Sequence, residues 1–488
     1  MLFNSIDFLV FFPIIVGIFF IIPSKLRCVW LLLASYFFYM SWNPKYALLI
    51  ALSTVITYLS GILIERCTKD VHKKLVVAGS LISNLMILAV FKYANFVLHT
   101  LGTLLNSFGI QFTEKRLDLL LPVGISFYTF QALSYTLDVY RGKITAEKNL
   151  VRYALFVSFF PQLVAGPIER SGNLLRQIQA VDKMKLWNYS RIKEGLLLMI
   201  WGLFQKLVIA DRAAILVNQV YHNYHDYGFL EIAIATILFA FQIYCDFGGY
   251  TNIARGAARV MGFELMQNFR QPYLACNIKD FWKRWHISLT SWFTDYMYIP
   301  LGGNRKGELR KYINIMIVFT VSGLWHGASW NFIVWGVLHG LYQVIGNIVG
   351  KFKGKIGITT LNGGLSFSRR LGKRMVTFCL VDFAWIFFAA YSLRHAVSLI
   401  KQMFVTFQTT GIYDLGLTRG NWFILCFSLI ILGIVDTFHE NGKSVFLLVE
   451  KQTLWFRWVL YLGLLWGTIM FGIYGIGYDT SQFIYFQF

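Results

Sequence analysis

Residues Tyr312–Gly350 read YINIMIVFTVSGLWHGASWNFIVWGVLHGLYQVIGNIVG and contain no Lys, Arg, Asp or Glu. Basic residues close the stretch at both ends: Arg305, Lys306, Arg310 and Lys311 before it, Lys351, Lys353 and Lys355 after it. As one straight helix it would extend roughly 58 Å at about 1.5 Å per residue, against a hydrocarbon core of about 30 Å. The chain must therefore bend back or break inside a membrane. Cationic flanks on both sides favour a return to the same, cytoplasmic, face. His326 lies near the middle, in Leu324-Trp325-His326-Gly327, at a depth where an imidazole is expensive and usually functional. A core histidine bonded to a backbone carbonyl is the plainer reading of the same residue. Gly323 with Gly327, and Gly336 with Gly340, are small-xxx-small pairs that let helices approach closely. His339, nearer the far end, reads as structural.

The composition agrees with a membrane setting. The 488 residues are 57% hydrophobic and 14% charged, where soluble proteins average about 25% charged. The chain reads as an all-α polytopic integral membrane protein with roughly ten to twelve membrane segments plus re-entrant or interfacial helices. Expected spans lie near residues 8–22, 29–42, 46–64, 75–91, 119–137, 195–210, 229–245, 376–391, 422–434 and 458–473. Pro122 and Gly124 suggest a kink in the fifth, and the run 150–168 ends in PQLVAGP, a broken or re-entrant piece. The first run lacks a basic n-region and a cleavage site, so it is expected to be retained, and Lys25 and Arg27 behind it put the N-terminus outside. The net charge of +21 sits mainly between apolar runs, a cytoplasmic-loop pattern rather than a nucleic-acid footprint, and it suits anionic lipid or a polyanionic cofactor. Six scattered cysteines without a CxxC pair argue against a disulfide framework or zinc ribbon and read as packing residues.

Between Asp246 and Lys311 ten basic residues face four acidic ones, with aromatics interleaved. Such a stretch is too charged to span and suits short helices in or dipping into the interface. Residues Asp280–Pro300, DFWKRWHISLTSWFTDYMYIP, written as one helix, put Phe281, Trp282, Trp285, Leu289, Trp292 and Phe293 on one face and His286 at its edge. An aromatic-belt helix at the headgroups with an incidental histidine is the plainer reading. A metal site from His286, His326 and His339 lacks any HxxxH or HExxH spacing, and no GxSxG elbow, Walker loop or GxGxxG after a strand is present. What remains is an imidazole deep in the bilayer beside a basic, aromatic apron. That suits acyl transfer from an activated thioester such as acetyl-CoA, which needs a base, oxyanion donors and dry surroundings rather than a covalent serine adduct.

Several long blocks carry a resemblance: LPVGISFYTFQALSYTLDVYRG from Leu121, PQLVAGPIER from Pro161, FQIYCDFGGYTNIARGAARVMGF from Phe241, NFRQPYLACNIKDFWKRWHISLTSWFTDYMYIPLGGNR from Asn268, GLWHGASWNFIVWG from Gly323, and the ending FIYFQF. In these the chain resembles the membrane-bound O-acyltransferase family, specifically its bacterial alginate O-acetylation-like branch. The resemblance implies one acyltransferase domain over residues 1–488, with N-terminal spans in 1–245, a catalytic core in 246–350 and C-terminal spans in 351–488. It also implies a funnel-shaped fold with a tunnel or thin partition between the two faces. By likeness, His326 matches the histidine held to be catalytic and His286 the branch's second histidine.

The expected activity is transfer of an acetyl group from a cytoplasmic thioester across the bacterial inner membrane, for O-acetylation of a cell-surface polysaccharide. His326 would act as general base or transient acyl relay, in a water-poor passage reachable from inside the cell. His286 would position or polarise the donor carbonyl. Lys283, Arg284 and Arg305 could attract the donor's phosphates, or be ordinary solvated interface charges, and Asp246 could orient a polar partner. No bound cofactor is expected, with acetyl-CoA or another thioester as donor substrate. The expected partners are membrane lipid, the polysaccharide acceptor and an extracytoplasmic acetyltransferase of the serine-esterase type. Two related readings are D-alanyl transfer to teichoic acid from a carrier protein and peptidoglycan or cellulose acetylation. A non-catalytic polysaccharide transporter subunit is the reading from another class, and it would require paired mid-span charges along a path.

Overall fold

The computed structural model describes residues 1–113, 117–119, 121–163, 166–355, 366–406, 411 and 415–474. The FIYFQF ending, Val164 and Ala165 of the PQLVAGPIER block, and the side chains of Lys353 and Lys355 lie outside the described residues. Every regular element described is helical, as lipid requires when no water is at hand to satisfy backbone N–H and C=O groups. Among the described residues six helices are long and apolar enough to cross a bilayer: Pro44–Arg66, Asp70–Ser107, Phe229–Met261, Trp330–Phe352, Arg419–Glu440 and Leu454–Phe471. Ile6–Ile21 and Leu150–Leu163 are shorter apolar helices. The chain is an all-α polytopic membrane protein.

It divides into two compact units, Met1–Met199 with Ile253–Met266, and Ile200–Asn252 with Gln267–Phe488. In the first, helix Ile125–Tyr140 is buried along almost its whole length. Pro122 and Gly124 precede this helix instead of kinking it. Gly124 is its N-cap at φ 72°, a left-handed conformation that costs glycine little and other residues more. Tyr135 packs so closely on Gly61 that a Cβ there would lie 2.6 Å from its hydroxyl, and that hydroxyl accepts the Glu147 backbone N–H. The Leu150 run breaks after Ser158 and resumes as Phe160–Leu163, as the prolines suggest. Beyond it, buried Glu169 accepts from Met266 N and from Asn173 Nδ2.

The second unit holds the hairpin. Helix Glu308–His326 ends at Gly327, and helix Trp330–Lys355 returns. Gly323 sets the closeness of the arms: a Cβ there would sit 2.2 Å from Phe332 O and 3.3 Å from Gly336 Cα. One arm's backbone lies directly on the other's, which only glycine allows. Gly327 is confined by the Phe332 ring and Gly340 by Met316.

Two further expectations fail. The span expected to stop at Cys245 continues as a 33-residue helix to Met261. The charge that argued for a stop, Asp246, is neutralised inside the protein, 2.6 Å from Lys206 Nζ, which also lies 2.8 Å from Asp211. Gly248 and Gly249 do not break the helix, because Gly249 is a contact point: its Cβ would meet Gly202 O at 2.7 Å. Nor is the aromatic stretch one helix. It is Ile278–Arg284 and Ile287–Phe293, broken at Trp285-His286. Backbone pairing with an upstream segment takes over at the break, where Arg270 N donates to Arg284 O and Ile287 N to Asn268 O.

Candidate functional site

The break places His286. Its φ is 44° and ψ 53°, and among the described residues only Gln271 shares a positive φ outside glycine. A left-handed conformation costs a side-chain-bearing residue about 1–2 kcal/mol and persists only where the surroundings impose it. Here they do. The two backbone bonds from Asn268 and Arg270 bracket the turn, and Asn268 Oδ1 accepts from the Ser288 hydroxyl at 2.6 Å. The imidazole so aimed is fully buried. It lies edge-on to Phe247, with centroids 4.7 Å apart, and 6.2 Å from the ring of His326. His286 lies outside the membrane-spanning helices, and burial pulls its pKa below the ordinary imidazole value, so the ring is neutral near pH 7.

His326 arrives from the hairpin as the last residue of its first arm. Its ring sits among Trp325 and Trp335, each with centroid 5.0 Å away and near-perpendicular, and Phe388 at 5.4 Å. Only 2% of the residue is exposed. The structure thus brings His326 and His286 together inside an aromatic cage. His339 is placed differently: its Nδ1 accepts from Trp282 Nε1 at 3.2 Å, a packing role. Among the described residues no three His, Cys, Asp or Glu side chains are grouped so as to hold a metal ion.

The three candidate phosphate-binding cations do not converge. Arg284 faces two carboxylates, Asp280 through Nε at 2.8 Å and Glu440 through both terminal guanidinium nitrogens, and Arg374 shares Glu440. Its charge ties helix Arg419–Glu440 to the aromatic stretch. Lys283 and Arg305 are exposed.

A pocket of about 540 Å³ opens at the hairpin turn, touching Gly327, Ala328 and Ser329. It stops at the turn, and the His326 ring stays within the cage. Asn331 lines it and pins the turn, its Nδ2 donating to Phe387 O and Ala390 O at 3.1 and 2.8 Å. At the rim the Tyr391 hydroxyl meets the His222 ring nitrogens at 2.8 and 3.1 Å. Sequence reasoning passed over Asn331, Gln242 and Lys206. The signal was there: each is polar within an apolar run, the same argument that singles out His326.

The family model described as MBOAT, membrane-bound O-acyltransferase family, matches residues 79–361. The chain is 36% identical over 408 residues to a probable alginate O-acetylase of Pseudomonas aeruginosa, covering 83% of this chain and 75% of that one. It is 35% identical over 398 residues to a peptidoglycan O-acetyltransferase of Helicobacter pylori, covering 77% and 73%. With a teichoic acid D-alanyltransferase of Bacillus subtilis it shares 27% over 248 residues, covering 48% and 60%.

Proposed function

The chain belongs to the membrane-bound O-acyltransferase family, and from that premise we propose that it passes an acetyl group from a cytoplasmic thioester, such as acetyl-CoA, across the bacterial inner membrane for O-acetylation of a cell-surface polysaccharide. The observation that carries the reading is the meeting of two buried imidazoles, His286 and His326, 6.2 Å apart in an aromatic cage at the turn of a charge-free hairpin. The basic ends of the hairpin, Arg305 to Lys311 and Lys351, define the cytoplasmic side by the positive-inside rule. The turn and its pocket then face outward, toward the acceptor.

His326 is the general base. As the acceptor oxygen attacks the thioester carbonyl, His326 takes its proton; the C–S bond breaks and the proton passes to the departing thiolate. In the relay variant the ring itself carries the acetyl group between donor and acceptor. The neutral His286 ring positions or polarises the carbonyl, and the cage keeps water from the activated acyl group. Opening it to both substrates requires the surrounding rings to move on binding. Exposed Lys283 and Arg305 draw in the donor's phosphates, while Arg284 holds the apron in place. The acetyl group leaves to the glycan directly or through an extracytoplasmic partner of the serine-esterase type. Acetyl transfer is favoured over D-alanyl transfer because the relatives named for acetylation align over far more of the chain at higher identity. Replacing His326 with Ala should abolish acetylation of the surface glycan, read by mass spectrometry with labelled acetyl, while membrane insertion persists. Unchanged acetylation would remove His326 from the mechanism.

A further inference from the structure

Residues 183–193 read KMKLWNYSRIK, with four cations and no acid, and they fold into a held loop. Arg191 donates to the carbonyls of Lys185 and Leu186, and Leu186 is buried. The rings on either side of Asn188 are bare: Trp187 is 80% exposed and Tyr189 76%. Arg27 Nη1 donates to Val181 O and Met184 O at 3.2 and 3.3 Å, which fastens the loop to the chain leaving helix Ile6–Ile21. There the Trp187 indole stands edge-on to Phe20, with centroids 5.1 Å apart. This contact fixes its depth. Ile21, apolar and 84% exposed, faces hydrocarbon, and Lys25, exposed four residues on, faces water. An indole at that boundary sits where Trp and Tyr gather in membrane proteins. The same boundary is cationic. Lys25, Lys183 and Lys185 are exposed and make no ion pair among the described residues. The neighbouring acids are occupied, Asp182 by Arg152 at 3.1 Å and Glu194 by Arg259 at 2.8 Å. An acidic protein would answer the charge but not two bare rings against the end of an apolar helix. A lipid answers both, because its phosphate and the top of its acyl chains meet the surface at one depth.

We propose that Lys25, Lys183 and Lys185, with Trp187 and Tyr189, form a binding surface for the phosphate headgroups of anionic lipids in the cytoplasmic leaflet. The ammonium groups pair with headgroup phosphates, and the two rings lie at the level where the acyl chains begin. The cations themselves put this end of helix Ile6–Ile21 on the cytoplasmic side. The surface stands on the membrane setting of the chain and does not depend on acetyl transfer.

The test is lipid binding. The full chain, delipidated in neutral detergent, is titrated with phosphatidylglycerol and with phosphatidylcholine, and bound lipid is read by native mass spectrometry. The tightest phosphatidylglycerol should bind at least about tenfold more strongly than phosphatidylcholine. Lys25→Gln, Lys183→Gln and Lys185→Gln together should weaken it about tenfold. Lys69→Gln, Lys443→Gln and Lys451→Gln together remove the same charge from exposed lysines elsewhere and should change it less than about twofold. A second measurement keeps the test intact if the first triple variant misfolds. In vesicles, phosphatidylglycerol brominated near the top of its acyl chains should quench the emission that Trp187→Phe removes. Equal binding of the two lipids, equal losses from the two triple variants, or an unquenched Trp187 overturns the proposal. So does capture of soluble polyglutamate with no preference between the lipids, which is the result an acidic protein partner would give. A chain that keeps the lipid preference and transfers no acetyl group overturns the function proposed above and leaves this surface.

Discussion

Gly323→Ala is a one-methyl change that tests whether the hairpin's geometry controls its chemistry. The new Cβ would fall 2.2 Å from Phe332 O and 3.1 Å from Phe332 C. Both are backbone atoms of the opposing arm and cannot rotate away. Close carbon–oxygen contacts settle at about 3.3–3.6 Å, so the arms must part by about 1 Å. Overpacking of this kind costs about 1–3 kcal/mol. The arm also carries His326 three residues on, and a displacement of about 1 Å at a reacting group costs about a hundredfold in rate. Gly346→Ala, on the second arm, is the control, because a Cβ there meets nothing within 4 Å and the swap should gain about 0.5–1 kcal/mol of helix stability. Labelled-acetyl transfer by membranes containing matched amounts of each protein reads the rate, and the thermal midpoint in detergent reads stability. A Gly323→Ala enzyme as fast and stable as the parent, or equal damage from Gly346→Ala, would refute the reasoning.

Two other perturbations separate the site from its scaffold. Burial holds the His286 pKa below its ordinary value of 6.5, so the unfolded chain takes up a proton as pH falls below 6.5 while the folded one does not. Folded-state stability should therefore be full above that pH and fall on acidification, by about 2 kcal/mol between pH 6.5 and 5. His286→Asn, which tolerates a positive φ, should flatten that limb in thermal-shift scans; an unaltered slope would show that His286 does not titrate this way. Lys206, Asp211 and Asp246 form a cluster with side chains 2%, 8% and 4% exposed. Lys206→Met sets two carboxylates together without that cation and should cost about 3–5 kcal/mol, largely recovered by adding Asp211→Asn and Asp246→Asn. If the triple variant is no more stable than Lys206→Met, the cluster is not held by charge balance.

What could be read in the sequence was local. A charge-free stretch too long to span once, closed by cations at both ends, dictates a hairpin. Glycines spaced four apart dictate where its arms touch, and the imidazole of His326 at depth marks the candidate site. His286 was legible as a residue but not as a geometry. Periodicity laid Asp280 to Phe293 out as one amphipathic helix, and the break arises from backbone bonds to Asn268 and Arg270, partners no periodicity reveals. The long helix misled for the same reason: Asp246 looks like a stop signal until Lys206, forty residues earlier, is brought within 2.6 Å. Charges in apolar runs read as boundaries when alone and as clusters when folded, and sequence spacing does not distinguish the two.

The hairpin turn also answers a conflict in the chemistry. On the proposed function, an activated acetyl group must be kept from water until its acceptor arrives, while a hydroxylic acceptor brings water with it. A histidine in mid-helix would be wrapped by apolar neighbours on every side, and one in an exposed loop would hydrolyse the donor. His326 is neither: the helix ends on it, so Trp325, Trp335 and Phe388 enclose the ring, while the next residues, Gly327 to Ser329, form part of the wall of an open pocket that Asn218 and His222 also line. The ring is one residue from a compartment with hydrogen-bonding groups and still dry. Gly323 and Gly336 make that boundary thin, since bulkier residues would hold the arms apart and admit water between them. On the proposed function, the turn, the cage and the paired glycines serve one requirement: a step from an enclosed ring to an open pocket across a single residue.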